Sequence, residues 1–174
     1  MRMSLLYCMK CRKELHKEYE RTFSRHVCRN CGEIYYDNPR PCVTALIVEQ
    51  KRVLLNKRIM QPGAGSWDLV GGFIEKHEHP DHALKREMDE EIGVVPSNFQ
   101  FFKIYMDVYG ETDISTLNIV YICTIPHSFK IMTDEFSELQ WFSVNELPGI
   151  YSFKSVEDIL TDYTKYLERD IKLL

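Results

Sequence analysis

Apolar positions recur with two different periods along this chain, and the switches between them mark its elements. The segments VTALIVEQ (43–50) and RVLLNKR (52–58) are rich in β-branched and aliphatic residues. They read as buried strands joined by a turn near Gln50-Lys51. FQFFKIYMDVYG (99–110), STLNIVYICTI (115–125) and ELQWFSV (138–144) read as further strands, and PGAGS (62–66) as a loop. Between them the period lengthens. Leu84, Met88 and Ile92 fall on one helical stripe. Pro80 suits the first turn of that helix, and Gly93 suits the residue just past its end. The helix therefore runs from about Pro80 to Ile92, with His79 standing where Ser or Thr would be the better cap. A second amphipathic helix is expected over 155–174, from Val156, Ile159, Leu160, Tyr163 and Leu167. Mixed strands with a helix on either side fit an α/β/α sandwich of the α/β class.

Length and charge narrow the picture. With 174 residues, 44% of them hydrophobic, the chain suits one full domain plus a small module. A net charge of −4 gives no general push toward nucleic acid or membrane. No apolar stretch is long enough to span a bilayer. The run Tyr35-Tyr36-Asp37-Asn38-Pro39-Arg40-Pro41 disfavours regular structure, so the boundary is expected there, with domains at 1–38 and 39–174.

The small module carries its own chemistry. Cys8-x2-Cys11 and Cys28-x2-Cys31 present two pairs of thiols sixteen residues apart, the spacing of a zinc ribbon. Disulfides are the competing reading. MRMSLLYCMK lacks the apolar run of a secretory signal, so a reducing, cytoplasmic setting is expected and thiolates holding Zn2+ are favoured. Four thiolates close the coordination, so this zinc is structural. Cys42 and Cys123 sit in strand-like runs and read as buried small hydrophobes. Lys10, Arg12, Lys13, Lys17, Arg21, Arg25 and Arg29 make the ribbon basic, but Glu14, Glu18, Glu20 and Glu33 dilute it. Nucleic-acid contact is therefore the lesser expectation.

The helix over 80–92 carries the other signal. Glu87, Glu90 and Glu91 share an arc beside the apolar stripe, while Lys85 and Asp89 point elsewhere. Such a cluster is either a solvated acidic face or a site for hard divalent cations. The surrounding letters favour the second. Gly72, Glu78, Arg86-Glu87-Met88-Asp89-Glu90-Glu91-Ile92-Gly93-Val94 match every fixed position of G-x5-E-x7-R-E-U-x-E-E-x-G-U, with Met88 and Val94 in the apolar slots. This stretch resembles the signature box of the Nudix hydrolases. The resemblance implies a Nudix α/β/α sandwich with a mixed sheet, preceded here by a small zinc ribbon. It implies that Glu87, Glu90 and Glu91, with the carbonyl of Gly72, bind Mg2+ or Mn2+, and that Arg86 and Glu78 orient the catalytic loop and helix. Glu87 is the first choice for the general base. The resemblance also allows a homodimer. Glu135 and Glu138 are candidates for an extra carboxylate, but read first as loop and strand-edge residues on the surface. Trp67 reads as core, and His77, His79 and His82 as solvated loop positions.

A ribbon followed by such a domain resembles the NADH pyrophosphatase branch, and Asn38-Pro39-Arg40-Pro41 resembles its connector. Two departures stand out. Val70 replaces the proline of the family's Trp-x-Leu-Pro-Gly-Gly lead-in. FFKIYMDVYG stands where that branch carries Ser-Gln-Pro-Trp-Pro-Phe. Phe101, Phe102, Tyr105 and Tyr109 are candidates to stack a base, though alternating strand residues are more often half core and half surface. The implied activity is metal-dependent hydrolysis of the pyrophosphate bond in a nucleoside diphosphate derivative such as ADP-ribose, NADH or a related dinucleotide. The alternative is a nucleotide-sensing module whose ribbon contacts nucleic acid or protein.

Overall fold

The computed structural model describes residues 6–96, 98–126 and 129–171. The ribbon's first five residues and the last three of the expected second helix lie outside that range. The chain divides into two compact units, Met1–Pro39 and Arg40–Leu174.

In the first unit, β1 (His16–Glu20), β2 (Phe23–Val27) and β3 (Ile34–Tyr36) form an antiparallel sheet in that order. Buried Cys8, Leu15 and Cys28 form its small core, with Tyr35 packed against them. Tyr35 and Tyr36 therefore belong to a strand, although the sequence places them in an irregular boundary. Aromatic residues fit a pleated sheet better than the neighbouring prolines suggest. Only 37–39 is left as connector.

In the second unit, β4 (Arg40–Glu49) is the central strand. It runs parallel to β9 (Ser115–Thr124) and antiparallel to β5 (Arg52–Arg58) and β7 (Val70–Phe73). The path through the sheet is β10-β5-β4-β9-β8, with β10 at Phe136–Ser143 and β8 at Asn98–Val108. The two-residue β6 (Trp67–Asp68) pairs with β5. This mixed sheet lies between α1 (Pro80–Ile92) and α2 (Lys154–Ile171). The two-residue period of β4 divides the core. Val43, Ala45 and Ile47 pack with Leu84, Met88 and Ile92 of α1, while Leu46 packs with Val156, Ile159 and Leu160 of α2. No helix among the described residues is long and apolar enough to cross a membrane.

The ends of the helices are chemically fixed. His79 does cap α1: its Nδ1 accepts from the Asp81 N–H at 3.2 Å, a ring nitrogen standing in for a hydroxyl. Gly93 (φ 65°) closes the other end, its N–H donating to Asp89 O. At α2, the Asp107 carboxylate on β8 accepts the Ser155 N–H at 2.6 Å.

The glycine pair before the box is required by close approach. Gly71 has φ 148°, and a Cβ there would overlap the Val43 carbonyl of the neighbouring strand. Because that atom is backbone, nothing can move aside cheaply. Gly71→Ala is expected to destabilise the protein by about 2–4 kcal/mol, a drop of roughly 5–15 °C in Tm measured by thermal melting.

Candidate active site

Packing of the α1 apolar stripe on the sheet turns the adjacent carboxylates toward β7. Gly72 lacks a side chain where the Glu87 carboxylate lies, since a Cβ there would stand 2.5 Å from Oε1. One turn further on, Glu91 is buried and its Oε2 accepts from Gly71 N–H at 3.3 Å. Glu87 and Glu91 thus enter a cavity of about 340 Å3. Glu90 does not line it: its side chain is 59% exposed and bonded to Arg86. The three glutamates expected on one arc therefore divide into an inner pair and an outer member. The spacing i, i+3, i+4 spreads side chains over a wide arc, and the cavity takes only part of it.

Arg86 is the hub. Its Nε and Nη2 hold both oxygens of Glu78 at 2.8 and 2.9 Å, and Nη2 also donates to Phe73 O at 3.0 Å. Nη1 donates to Glu87 Oε1 at 2.7 Å and to Glu90 Oε2 at 3.1 Å. Glu78 in turn accepts the Glu75 N–H. The guanidinium bonds, joined by that N–H, hold the Glu78 carboxyl down to about 2. One side chain thus ties the loop, the end of β7, the cavity-lining Glu87 and the outer Glu90 together, with the bidentate geometry that suits Arg.

The inner pair feels the opposite field. Burial raises the Glu87 carboxyl, against Arg86, and nearby Glu90 and Glu135 add to the rise. Burial, then the charge of Glu87, pushes Glu91 up to about 9, with Glu135 and Asp68 contributing. Among the described residues, six carboxylates line the cavity (Asp68, Glu75, Glu87, Glu91, Asp107 and Glu135), against a single cationic side chain, Arg58. Arg58 donates to Asp68 at 3.1 Å and to Pro62 O at 2.8 Å.

Glu135 is exposed, as the surface reading expects, and also lines the cavity, as its candidacy for an extra carboxylate allows. Glu138 stays exposed on β10 opposite Lys57. Of the four candidate stacking aromatics only Tyr109 reaches the cavity. Its ring stacks on Phe153 (5.6 Å, 22°), lies 5.6 Å from Phe73, and forms with them one aromatic wall. Arg58 sits 5.6 Å over Phe153 at the end of that wall. Phe102 packs instead on Tyr163 and Tyr166 of α2. Trp67 packs edge-on against Phe142 at 4.7 Å and lines no part of the cavity. Cys42 is buried as expected but also lines the cavity, whereas Cys123 lies wholly in the core. His77, His79 and His82 are exposed.

In the ribbon, the Sγ atoms of Cys8, Cys11, Cys28 and Cys31 lie within 4.8 Å of one another. All four are free thiols, with Cys8–Cys31 at 3.6 Å and Cys11–Cys28 at 3.4 Å. Four sulfurs at these separations suit one tetrahedral ion.

Comparison with known proteins bears on the fold. The sequence model of the NUDIX domain matches residues 38–162. The chain is 29% identical over 131 residues to an ADP-ribose pyrophosphatase of Methanocaldococcus jannaschii, covering 75% of this chain and 76% of that protein. It is 23% identical over 151 residues to the NAD-capped RNA hydrolase NudC of Vibrio atlanticus, covering 86% of this chain and 54% of that protein. The chain therefore spans only about half the length of that NudC relative. Among solved structures, a NUDIX hydrolase from Nitrosomonas europaea superposes with a TM-score of 0.71 at 26% identity, over 91% of this chain and 90% of that one.

Proposed function

The chain belongs to the NUDIX domain family, and from that membership we propose that it is a divalent-metal-dependent pyrophosphohydrolase acting on ADP-ribose or a close nucleoside diphosphate relative. The observation that carries the reading is the charge of the cavity, six carboxylates against one guanidinium. A pyrophosphate group is itself anionic, so it can enter only with cations that reverse the local field.

The donors available are hard oxygens, which suit Mg2+ or Mn2+. Glu87, Glu91 and the Gly72 carbonyl would hold the ion, with Glu135 beside them and Glu90 supplying the outer carboxylate from the solvent side. Bound there, such an ion neutralises phosphate charge, lowers the pKa of water and fixes in-line geometry. Arg86 anchors Glu87 through Oε1, and Oε2 is the atom assigned to accept the proton of the attacking water. The wall of Phe73, Tyr109 and Phe153 offers a flat apolar face for a planar base, and among the described cavity residues Arg58 is the cation placed to meet a phosphate oxygen directly. In the ribbon, Cys8, Cys11, Cys28 and Cys31 would hold a structural Zn2+.

ADP-ribose heads the list for two reasons. A relative matched over most of its length carries that activity in its name. FFKIYMDVYG also departs from the run found in the NADH-cleaving branch. The test is a panel of ADP-ribose, NADH and NAD-capped RNA with Mg2+, Mn2+ or chelator. AMP and ribose 5-phosphate are expected from ADP-ribose only with metal, and chelator should abolish turnover. Tight binding of ADP-ribose without cleavage under every metal would overturn this reading in favour of a nucleotide sensor.

A further inference from the structure

The two cysteine knuckles of the ribbon share one backbone turn but differ in the residue that closes it. In each, the residue after the second cysteine closes the turn: Arg12 N donates to Cys8 O, and Gly32 N to Cys28 O, both at 2.8 Å. Both closing residues are left-handed, Arg12 at φ 61° and Gly32 at φ 74°. Glycine adopts that conformation freely, but an arginine resists it. The first knuckle is therefore strained where the second is not.

Besides the Glu33–Lys10 ion pair at 3.1 Å on its surface, one further side chain among the described residues bonds to that strained knuckle, reaching its backbone and a cysteine sulfur. Tyr35, on β3, accepts the Met9 N–H at 2.9 Å through its hydroxyl oxygen, and the same oxygen lies 3.3 Å from Cys8 Sγ. A tyrosine hydroxyl has one proton to give. The oxygen's acceptor side is taken by Met9, and a metal-bound thiolate has no proton to offer. The hydrogen bond to sulfur must then run from Tyr35 to Cys8. The ring itself packs on the ribbon core of Cys8, Leu15 and Cys28, so the hydroxyl is held at a fixed point.

We infer that Tyr35 is the positioning residue of the ribbon's metal site: its hydroxyl clips the Cys8 knuckle to β3 and offsets the strain at Arg12. The inference rests on reading the four thiolates as a zinc site. A partner that orients a metal ligand in this way typically contributes tenfold or more to metal affinity. The Cys28 knuckle, with its glycine, needs no such clip.

The experiment uses the full chain loaded with zinc. Zinc content is measured first, then transfer of zinc to a chromogenic chelator, then the order of cysteine alkylation by mass spectrometry. Tyr35→Phe keeps the ring and removes the clip. It is expected to bind zinc about tenfold or more weakly, to release it correspondingly faster, and to expose Cys8 to alkylation before Cys28. Arg12→Gly added to Tyr35→Phe should recover part of the loss, because it removes the strain by another route. A zinc-loaded Tyr35→Phe protein with wild-type release and wild-type alkylation order overturns the role of Tyr35 alone. Failure of Arg12→Gly to slow release overturns the strain argument. Wild-type protein that holds no zinc overturns the ribbon reading and this inference together.

Discussion

Glutamine in place of Glu91 is expected to lower turnover by a factor on the order of 10²–10³ while making the metal-free protein more stable at neutral and alkaline pH. The two effects share one cause. Glu91 is buried beside Glu87, with Glu135 and Asp68 also acting on it, and its carboxyl is pushed up to about 9. In the unfolded chain the same group titrates near about 4.3. Below that value both states hold the proton and the group contributes its full stability. Between the two values the unfolded chain has released a proton that the folded protein must keep. Stability then falls as pH rises, until the folded group ionises near 9. Glutamine is neutral throughout and removes this slope. Thermal melts in chelator at pH 5 and pH 8 should show wild type losing more Tm between them than Glu91→Gln. Adding Mn2+ at pH 8 should raise the wild-type Tm, because an ion that binds only the folded state stabilises it, and should raise the variant's Tm little. Equal turnover in the two proteins would remove Glu91 from the metal-binding set.

The helix of the box was legible residue by residue, because Pro80, Gly93 and the Leu84–Met88–Ile92 stripe act within a few turns of one another. The same is true of the paired cysteines. Both signals are local: the partners lie close in sequence, and spacing alone places them on one face or in one knuckle. The cavity around the box was not legible. Arg58, Asp68, Asp107, Tyr109 and Phe153 come from β5, β6, β8 and the segments beyond β8 and before α2. Only the register of the sheet brings them together, and no period in the sequence encodes that. Glu135 shows the same limit. Asp134 before it and Ser137 beyond buried Phe136 are polar and exposed, so it reads first as surface, yet the Ile59 N–H donates to its carbonyl and pins the loop beside Arg58. The division of Glu90 from Glu87 and Glu91 was hidden for a different reason. Helical spacing gives an arc, and the width of the opening beside it is a tertiary property.

Arg86→Ala is expected to remove nearly all turnover, on the order of 10³-fold or more, and to destabilise the fold by about 2–4 kcal/mol. Five hydrogen bonds converge on this one guanidinium, from Glu78, Phe73, Glu87 and Glu90. Without it the half-buried carboxylates of Glu78 and Glu87 lose their counter-charge, Phe73 O loses a donor, and the loop is no longer tied to the helix. Arg86→Lys separates charge from geometry. An ammonium restores one positive charge but cannot span Glu78, Phe73 and Glu87 at once. If the role is geometric, lysine should recover part of the lost stability in a thermal melt yet little of kcat. The Glu78 pair also sets an acid limit. Its carboxyl is held at about 2 in the folded protein, well below its unfolded value, so the pair's stabilisation is complete above the unfolded value and is lost as pH falls through about 2. Acid titrations of wild type and Arg86→Ala should therefore converge toward low pH and diverge above about pH 5. Lysine that restores kcat as fully as it restores Tm would show that charge alone suffices, and that the forked geometry around Phe73 and Glu78 contributes nothing to the reaction.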